Sequence, residues 1–284
     1  MDIKKIMVIG AGQMGAGIAQ VCAVAGYEVL LHDQSDEALN KGLTGIEKLL
    51  ARSVEKQRMT QEEMDASLAN FTKTSRLEDA KDVDVVIEAA IEKMDIKKQI
   101  FQSLDTIVPS HTILATNTSS LPITELAAST GRPDRVIGMH FMNPVPVMKL
   151  VEVIRAIQTS DETCGTIEAL AETLHKTTVE VKDFPGFAAN RILMPMINEA
   201  ISAVHEGVAS IEDVDTVMKL GANHPMGPLQ LADFIGLDTC LYIMEVLYEG
   251  FSDSKYRPNP LLRQYVQAGW LGRKTGKGFY TYDS

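Results

Sequence analysis

The sequence predicts an α/β fold, a doubly wound and mainly parallel sheet with an inserted helical arm, followed by an all-α C-terminal domain. Three observations predict it. A short apolar strand runs straight into Gly10-Ala11-Gly12-Gln13-Met14-Gly15 and then into a helix rich in Ala and Gly. The rhythm of strand, polar loop and helix repeats as far as Val181. Beyond a break at Asp183-Phe184-Pro185-Gly186-Phe187 strand signals largely vanish and long apolar helices take over. The expected domains are 1–184, with an arm over about 36–70, and 185–284.

At 284 residues, with 45% hydrophobic and 23% charged residues, the composition is that of an ordinary soluble globular protein. No apolar run reaches transmembrane length, and no basic and apolar leader precedes the first strand. A net charge of −11 argues against a nucleic-acid surface and gives no support to an anionic membrane. Any anionic ligand must therefore find a local positive patch. Cys22, Cys164 and Cys240 are widely spaced, with no CxxC and no nearby His at metal-ligand spacing. They point to buried thiols in a reducing compartment, so a cytoplasmic protein without a metal is expected.

Ile3 to Ile9 reads as the first strand, Gln13 to Ala25 as the first helix, and Tyr27 to His32 as the second strand, closing on Asp33. A bare GxGxxG carries little weight. Here it opens a helix after a strand, and an acid stands 18 residues beyond Gly15, which makes it a Rossmann-type dinucleotide fingerprint. Gly10, Gly12 and Gly15 permit the tight turn and the approach of backbone N–H groups to a pyrophosphate at the helix N-terminus. Asp33 would accept from the adenine ribose hydroxyls and repel a 2′-phosphate. No arginine follows it closely, so NAD is favoured over NADP.

Asp36 to Asn70 is helical and highly charged, with Thr60-Gln61-Glu62-Glu63 as a capping box between two helices. Lys48, Arg52 and Lys56 recur at i, i+4 and i+8 and share one face, where like charges disfavour an isolated helix. That stripe serves either an anionic ligand or a solvated face balanced by Glu47 and Glu55. Val83 to Ala90 is a strand, Glu92 to Leu104 a helix, and Thr112 to Ala115 a strand followed by Thr116-Asn117-Thr118-Ser119-Ser120. Ligands of parallel sheets lie beyond the strand C-termini. Asn117 and Ser119 are thus placed to bond a nicotinamide or a substrate oxygen, or simply to cap the helix Ile123 to Ser129. His111 lies at the other end of its strand and reads as a surface residue. No Gly-x-Ser-x-Gly turn surrounds Ser119, which leaves nucleophilic hydrolase chemistry without support.

Arg135 to Met139 and Lys149 to Ile154 read as two strands, joined by a loop that Pro144 and Pro146 stiffen. Met148, Leu150 and Glu152 share a face by the period of two, and a glutamate on that face needs a partner. An antiparallel return would set His140 opposite Glu152, the arrangement of a general base oriented by a carboxylate. The bland alternative is a surface histidine and an edge glutamate. Cys164 to His175 is a helix and Thr178 to Val181 a short strand. Past the break come helices Ala188 to Val204, with Asn190 in its first turn and Pro195 as a kink, Ile211 to Leu220, and Leu229 to Tyr248, broken near Gly236. So much apolar helical surface on about 100 residues suggests a partner subunit. Lys274-Thr275-Gly276-Lys277-Gly278-Phe279-Tyr280 either covers a phosphate or closes the chain as a turn.

These pieces together resemble the 3-hydroxyacyl-CoA dehydrogenase family over essentially the whole chain. The resemblance is carried by GAGQMG at Gly10 to Gly15 and NTSS at Asn117 to Ser120. It is carried further by HFxNPxPxMKLVEV at His140 to Val153, GFxxNRIL at Gly186 to Leu193 and GRKTGKGFY at Gly272 to Tyr280. Met142, Val145 and the Ala188-Ala189 pair depart from the pattern. The resemblance implies NAD-dependent oxidation of an (S)-3-hydroxyacyl-CoA, such as 3-hydroxybutyryl-CoA, and the reverse. It implies His140 as base, Glu152 as its orienting partner, and Ser119 and Asn190 as hydrogen-bond donors to the reacting oxygen or thioester carbonyl, with both domains closing over one cleft. It also implies that Gln13, Met14, Ala89, Glu92, Lys97, Asn117, Asn143 and Lys274 line the cofactor and active-site cleft. Lys48, Arg52 and Lys56 become candidates for the phosphates of CoA, and a homodimer through the C-terminal domain is expected. A dehydrogenase of free 3-hydroxy or sugar acids would leave the basic arm nothing to bind. A non-catalytic NAD-binding protein would have no use for Ser119, His140, Glu152 and Asn190 together.

Overall fold

The structure, a computed structural model, describes residues 1–282 and divides into two compact units, Met1–Asp183 and a second beginning at Phe184. The first unit contains β1 (Lys5–Ile9), α1 (Gln13–Val24), β2 (Glu28–His32), α2 (Asp36–Glu55), α3 (Gln61–Ala69) and β3 (Phe71–Thr74). It continues with β4 (Val85–Glu88), α4 (Met94–Ile107), β5 (Ile113–Thr116), α5 (Ile123–Ala127), β6 (Val136–Phe141), β7 (Leu150–Arg155), α6 (Asp161–Thr173) and β8 (Thr177–Lys182). The eight strands form one sheet in the order β3-β2-β1-β4-β5-β6-β7-β8. Every pairing is parallel except β6 with β7. This is the doubly wound, Rossmann-type sheet that the glycine turn and the strand–helix rhythm indicated.

Strands β4 and β5 are buried along their whole length because helices cover both faces of the sheet, so their sequences read as apolar runs without alternation. On one face Val8, Leu31, Ile87 and Ala115 pack with Ile18 and Ala23 of α1 and with Cys164, Ile167 and Ala171 of α6. The strand order reverses at β1, between β2 and β4, and the crevice at the strand C-termini there is where ligands of such sheets bind.

The charged segment after β2 folds as two helices. Ser35 caps α2 by accepting from the Ala38 N–H. Thr60 and Glu63 form the reciprocal capping box of α3. Between α2 and α3 a small apolar cluster of Ile46, Leu50 and Met64 holds the arm together. Strand β3 has no counterpart in the sequence reading. Its four residues, Phe-Thr-Lys-Thr, lie at the sheet edge with only one buried, so no apolar run marks them.

The second unit comprises α7 (Ala189–His205), α8 (Ile211–Gly221), α9 (Pro228–Ile235), α10 (Leu237–Phe251) and α11 (Pro260–Gln267). Met194, Ile197, Ile201, Leu229, Leu237 and Leu247 form its core. Pro195 lies within α7. The expected break at Gly236 is the junction of α9 and α10, where glycine takes φ +104°, a conformation that L side chains rarely adopt. Helix α11 is an addition to the sequence reading. Asn259 caps it and Pro260 begins it, a signal present in the sequence as Asn-Pro. The Gly-rich segment near the C-terminus is a turn held from within. The carboxylate of Asp233, itself 1% exposed, accepts from the N–H groups of Phe279 and Tyr280 at 2.9 Å.

Candidate active site

The glycine turn ends β1 at the strand-order reversal. Gly10 has φ +98°, and a Cβ there would stand 2.6 Å from the Ala89 carbonyl oxygen at the end of β4. A Cβ on Gly15 would stand 1.8 Å from the Gly10 oxygen. Both are therefore fixed as glycine by packing. Gly12 differs, because no heavy atom lies within 4 Å of where its Cβ would be. The space above Gly12, at the N-terminus of α1, is open to a ligand, and the N–H groups and dipole of a helix start favour an anion there.

Asp33 follows β2 and steadies this turn. Its two carboxylate oxygens accept from the N–H groups of Ala11 at 2.9 Å and Ser35 at 3.0 Å. Beside it lies a cavity of about 490 Å³ lined by Gly10, His32, Gln34, Ala90, Ile91 and Ile96 among others. Burial lowers the pKa of the His32 imidazole below 6.5, so the ring beneath Asp33 is neutral near pH 7. An apolar pocket with a carboxylate at its rim, next to an open helix N-terminus, fits the adenosine and pyrophosphate of NAD.

His140 sits on β6, three strands from β1, and pairs in antiparallel register with Glu152 of β7. Both side chains are buried, at 5% and 2% exposure. Gly138, two residues earlier on the same face, leaves no room for a side chain because Ile154 of β7 lies 2.8 Å from its would-be Cβ. His140 Nδ1 stands 2.8 Å from Glu152 Oε2 and Nε2 stands 3.1 Å from Ser119 Oγ. A carboxylate only accepts, so Nδ1 carries the proton of the neutral ring and Nε2 presents its lone pair toward the Ser119 hydroxyl. The ring is thus held at both nitrogens, with the basic one beside a hydroxyl.

Ser119 is itself held by Glu92, whose Oε1 accepts from the Ser119 N–H at 2.9 Å and from the hydroxyls of Thr118 and Ser120. Lys97 Nζ lies 3.5 Å from Glu92 and bonds both oxygens of Glu88, at 2.7 and 2.8 Å. This ion pair is almost fully enclosed, with Lys97 at 1% and Glu88 at 0% exposure. Glu88 also accepts from the Ala90 N–H and the Thr116 hydroxyl. The sequence reading passed over Glu88. Its signal was an acid ending a wholly apolar strand, with a lysine nine residues on, across the turn into the next helix.

Two more contacts tie the loops together. Asn117 Oδ1 accepts from the Phe141 N–H at 2.8 Å, which directs its NH₂ group elsewhere. Gln13 Nε2 donates to Asn143 Oδ1 at 3.1 Å, so the β6–β7 loop touches the start of α1. Met14 is half-buried in the first turn of α1. Within the first unit Glu152, His140, Ser119, Glu92 and Lys97 thus form one chain of contacts, and Gln13 and Asn143 form a separate pair. Lys48 and Arg52 on α2, and Lys56 at its C-cap, are exposed, and among the described residues none has a carboxylate at ion-pair distance. In the second unit Asn190 lies half-buried in the first turn of α7, and Lys274 donates to Asp238 at 2.6 Å.

Residues 5–184 match the model of the 3-hydroxyacyl-CoA dehydrogenase NAD-binding domain, and residues 186–282 match that of the C-terminal domain. A probable 3-hydroxybutyryl-CoA dehydrogenase of Bacillus subtilis is 62% identical over 283 residues, covering 100% of this chain and 99% of the relative. The mitochondrial hydroxyacyl-coenzyme A dehydrogenase of Rattus norvegicus is 44% identical over 287 residues, covering 99% of this chain and 91% of its own length. The crystal structure of an (S)-3-hydroxybutyryl-CoA dehydrogenase from Ralstonia eutropha superposes with a TM-score of 0.97, at 52% identity, over 100% of both chains. The chain belongs to the 3-hydroxyacyl-CoA dehydrogenase family.

Proposed function

We propose that this protein is an NAD-dependent 3-hydroxyacyl-CoA dehydrogenase. It interconverts (S)-3-hydroxybutyryl-CoA and acetoacetyl-CoA. The observation that carries the reading is the imidazole of His140 held between Glu152 and Ser119, on a strand whose following loop touches the start of the glycine-turn helix. NAD, when bound, supplies the hydride acceptor.

In the oxidative direction His140 Nε2 takes the proton of the C3 hydroxyl as the hydride leaves C3. The ring becomes an imidazolium, and Glu152, 2.8 Å from Nδ1, stabilises that charge without moving. Ser119 donates to the oxygen that becomes the ketone, and Glu92 keeps Ser119 in place. We assign Asn190 the further hydrogen bond to substrate oxygen that the family resemblance implies. Lys97 acts through Glu88 and Glu92 and positions the loop. In the reductive direction His140 returns the proton to the new alkoxide.

The substrate's nucleotide suits the basic stripe of α2. Among the described residues Lys48, Arg52 and Lys56 have no carboxylate at ion-pair distance, so a phosphate would meet three cations there. A homodimer through the helical unit is supported by its exposed apolar side chains, Ile192 at 73%, Val217 at 64% and Leu220 at 82% exposure. Three free, buried cysteines support a reducing compartment, and we place the protein in the cytoplasm. Among the described residues no helix is long and apolar enough to cross a membrane. The test is oxidation of NADH with acetoacetyl-CoA beside free acetoacetate at equal concentration. Turnover confined to the thioester supports the proposal; equal turnover of both would favour a free-acid dehydrogenase.

A further inference from the structure

Lys176 is a buried cation without an acid. It stands between α6 and β8 at 8% exposure, and among the described residues no carboxylate lies at ion-pair distance from it. Burial alone lowers the pKa of its ammonium, a sign of how poorly this place suits a charge. The backbone of Lys176 is fixed. Its N–H donates to the Ala171 carbonyl in the last turn of α6 at 3.0 Å, and Thr177 then opens β8 in register with Leu150 of β7. The far end of the side chain is fixed as well. Nζ donates to the carbonyls of Val145 at 2.6 Å and Met148 at 2.8 Å.

Both carbonyls belong to the β6–β7 loop, which joins the strand of His140 to the strand of Glu152. Packing does little to hold this loop. Of residues 142–149 only Val145 is buried, where its side chain stands 3.0 Å from the would-be Cβ of Gly17 on α1. Pro144 and Pro146 have no N–H to give. Segments with few buried contacts open easily, and hydrogen bonds from an ionised donor are roughly twice as strong as neutral ones. The loop also meets α1 through the bond from Gln13 to Asn143. We infer that Lys176 is a positioning residue for the reaction: its ammonium fastens the β6–β7 loop, and through that loop it holds the His140–Glu152 hairpin in place against the helix of the glycine turn. A cation buried without an acid contributes little to folding, because its desolvation offsets its hydrogen bonds. What it contributes here is order at the closed end of the catalytic hairpin. This rests on the acyl-CoA reading above.

The test uses the full chain and Lys176→Met, which keeps an apolar stem and removes the donors. With NADH and acetoacetyl-CoA, kcat should fall about 10- to 100-fold, the effect of displacing a reacting group by about 1 Å. The KM for acetoacetyl-CoA and the affinity for NADH should each stay within about threefold of wild type. The melting temperature should stay within about 5 °C of wild type, since the buried charge leaves together with its hydrogen bonds. The same substitution in a His140→Ala background should cost less than about threefold, because the placement of a base cannot matter once the base is gone. If Lys176→Met lowers kcat equally in both backgrounds, or melts more than about 10 °C early, Lys176 supports the fold as a whole and the inference falls. If kcat stays within about threefold of wild type, or the loss lies in KM alone, the lysine does not place the base and the inference also falls. A wild-type protein that does not reduce acetoacetyl-CoA would instead remove the acyl-CoA reading, and this inference with it.

Discussion

Replacing Glu152 with glutamine should cut turnover steeply while leaving the fold intact. Glutamine matches the carboxylate in size and can still accept from His140 Nδ1, so the ring keeps its orientation. The negative charge is what disappears. The Nδ1–Oε2 distance is 2.8 Å, which sets the two charge centres about 4 Å apart once the imidazolium forms, and at an effective dielectric of about 20 that pair is worth roughly 4 kcal/mol. The hydrogen bond itself falls from about 1.5–3 kcal/mol, with a charged partner, to about 1 kcal/mol between neutral groups. The upper end of the hydrogen-bond difference, about 2 kcal/mol, and the charge-pair value of about 4 kcal/mol are alternative measures of one loss, and they correspond to a fall in kcat of roughly 30- to 900-fold. A glutamine that instead turns its NH₂ toward Nδ1 would force the other tautomer and deepen the loss. The assay is steady-state oxidation of NADH with acetoacetyl-CoA, alongside NADH affinity by fluorescence and a thermal melt. A Glu152→Gln enzyme within threefold of wild-type kcat would refute the pair, whatever the geometry.

Four further variants test other contacts of the first unit. Lys97→Met leaves the carboxylate of Glu88 enclosed without its cation and should destabilise the protein by about 3–5 kcal/mol in urea unfolding; a loss under about 1 kcal/mol would mean that the pair is not what holds this corner. Gly12→Ala should fold normally and bind NADH about tenfold or more weakly, because only ligand space meets the new methyl group. Gly15→Ala, whose methyl would strike the Gly10 carbonyl, should lose about 3 kcal/mol or more of stability; equal behaviour of the two variants would contradict this division. Asp84 links stability to pH. Burial alone would raise its pKa, but the N–H groups of Lys4 and Lys5 and the His111 ring outweigh that and lower it. Its stabilisation is therefore present above the unfolded carboxylate value of about 3.9 and is lost as pH falls through the lower folded value. Asp84→Ala should cost about 1–3 kcal/mol at pH 7, and its unfolding curve should converge on that of wild type in that acid window. A gap that stays constant with pH would show that the charge contributes nothing.

Much of the fold was legible because its signals are local. The glycine turn, the Thr60–Glu63 capping box and the Gly236 break each depend on a few adjacent residues. Strand β3 was not legible, since an edge strand with one buried residue in four carries no apolar pattern. The end of α5 differs from the expected one for another reason. The sequence suggested a helix to Ser129, whereas the helix stops at Ala127 and the Ser129 hydroxyl turns back onto the Leu126 carbonyl.

The site divides in the same way. His140 and Glu152 were readable as a pair because the strand period put Glu152 on an apolar face and the loop was short enough for an antiparallel return. What periodicity does not reveal is which loop supplies the third partner. Ser119 meets His140 Nε2 only because β5 lies beside β6, a fact of strand order and not of spacing. Lys97 shows the opposite limit. In the sequence it is one charged residue on an amphipathic helix; in the fold it is the buried cation that joins Glu88 to Glu92 beneath Ser119.

The measurement that tests the central claim most directly is turnover of His140→Ala, with NADH affinity measured on the same sample. Removing a general acid–base should lower kcat for acetoacetyl-CoA by about 10² to 10⁴ while NADH binds within about twofold of wild type. Turnover within a factor of about ten, with NADH still bound, would show that another group moves the proton and that the His140–Glu152–Ser119 arrangement is not the catalytic centre.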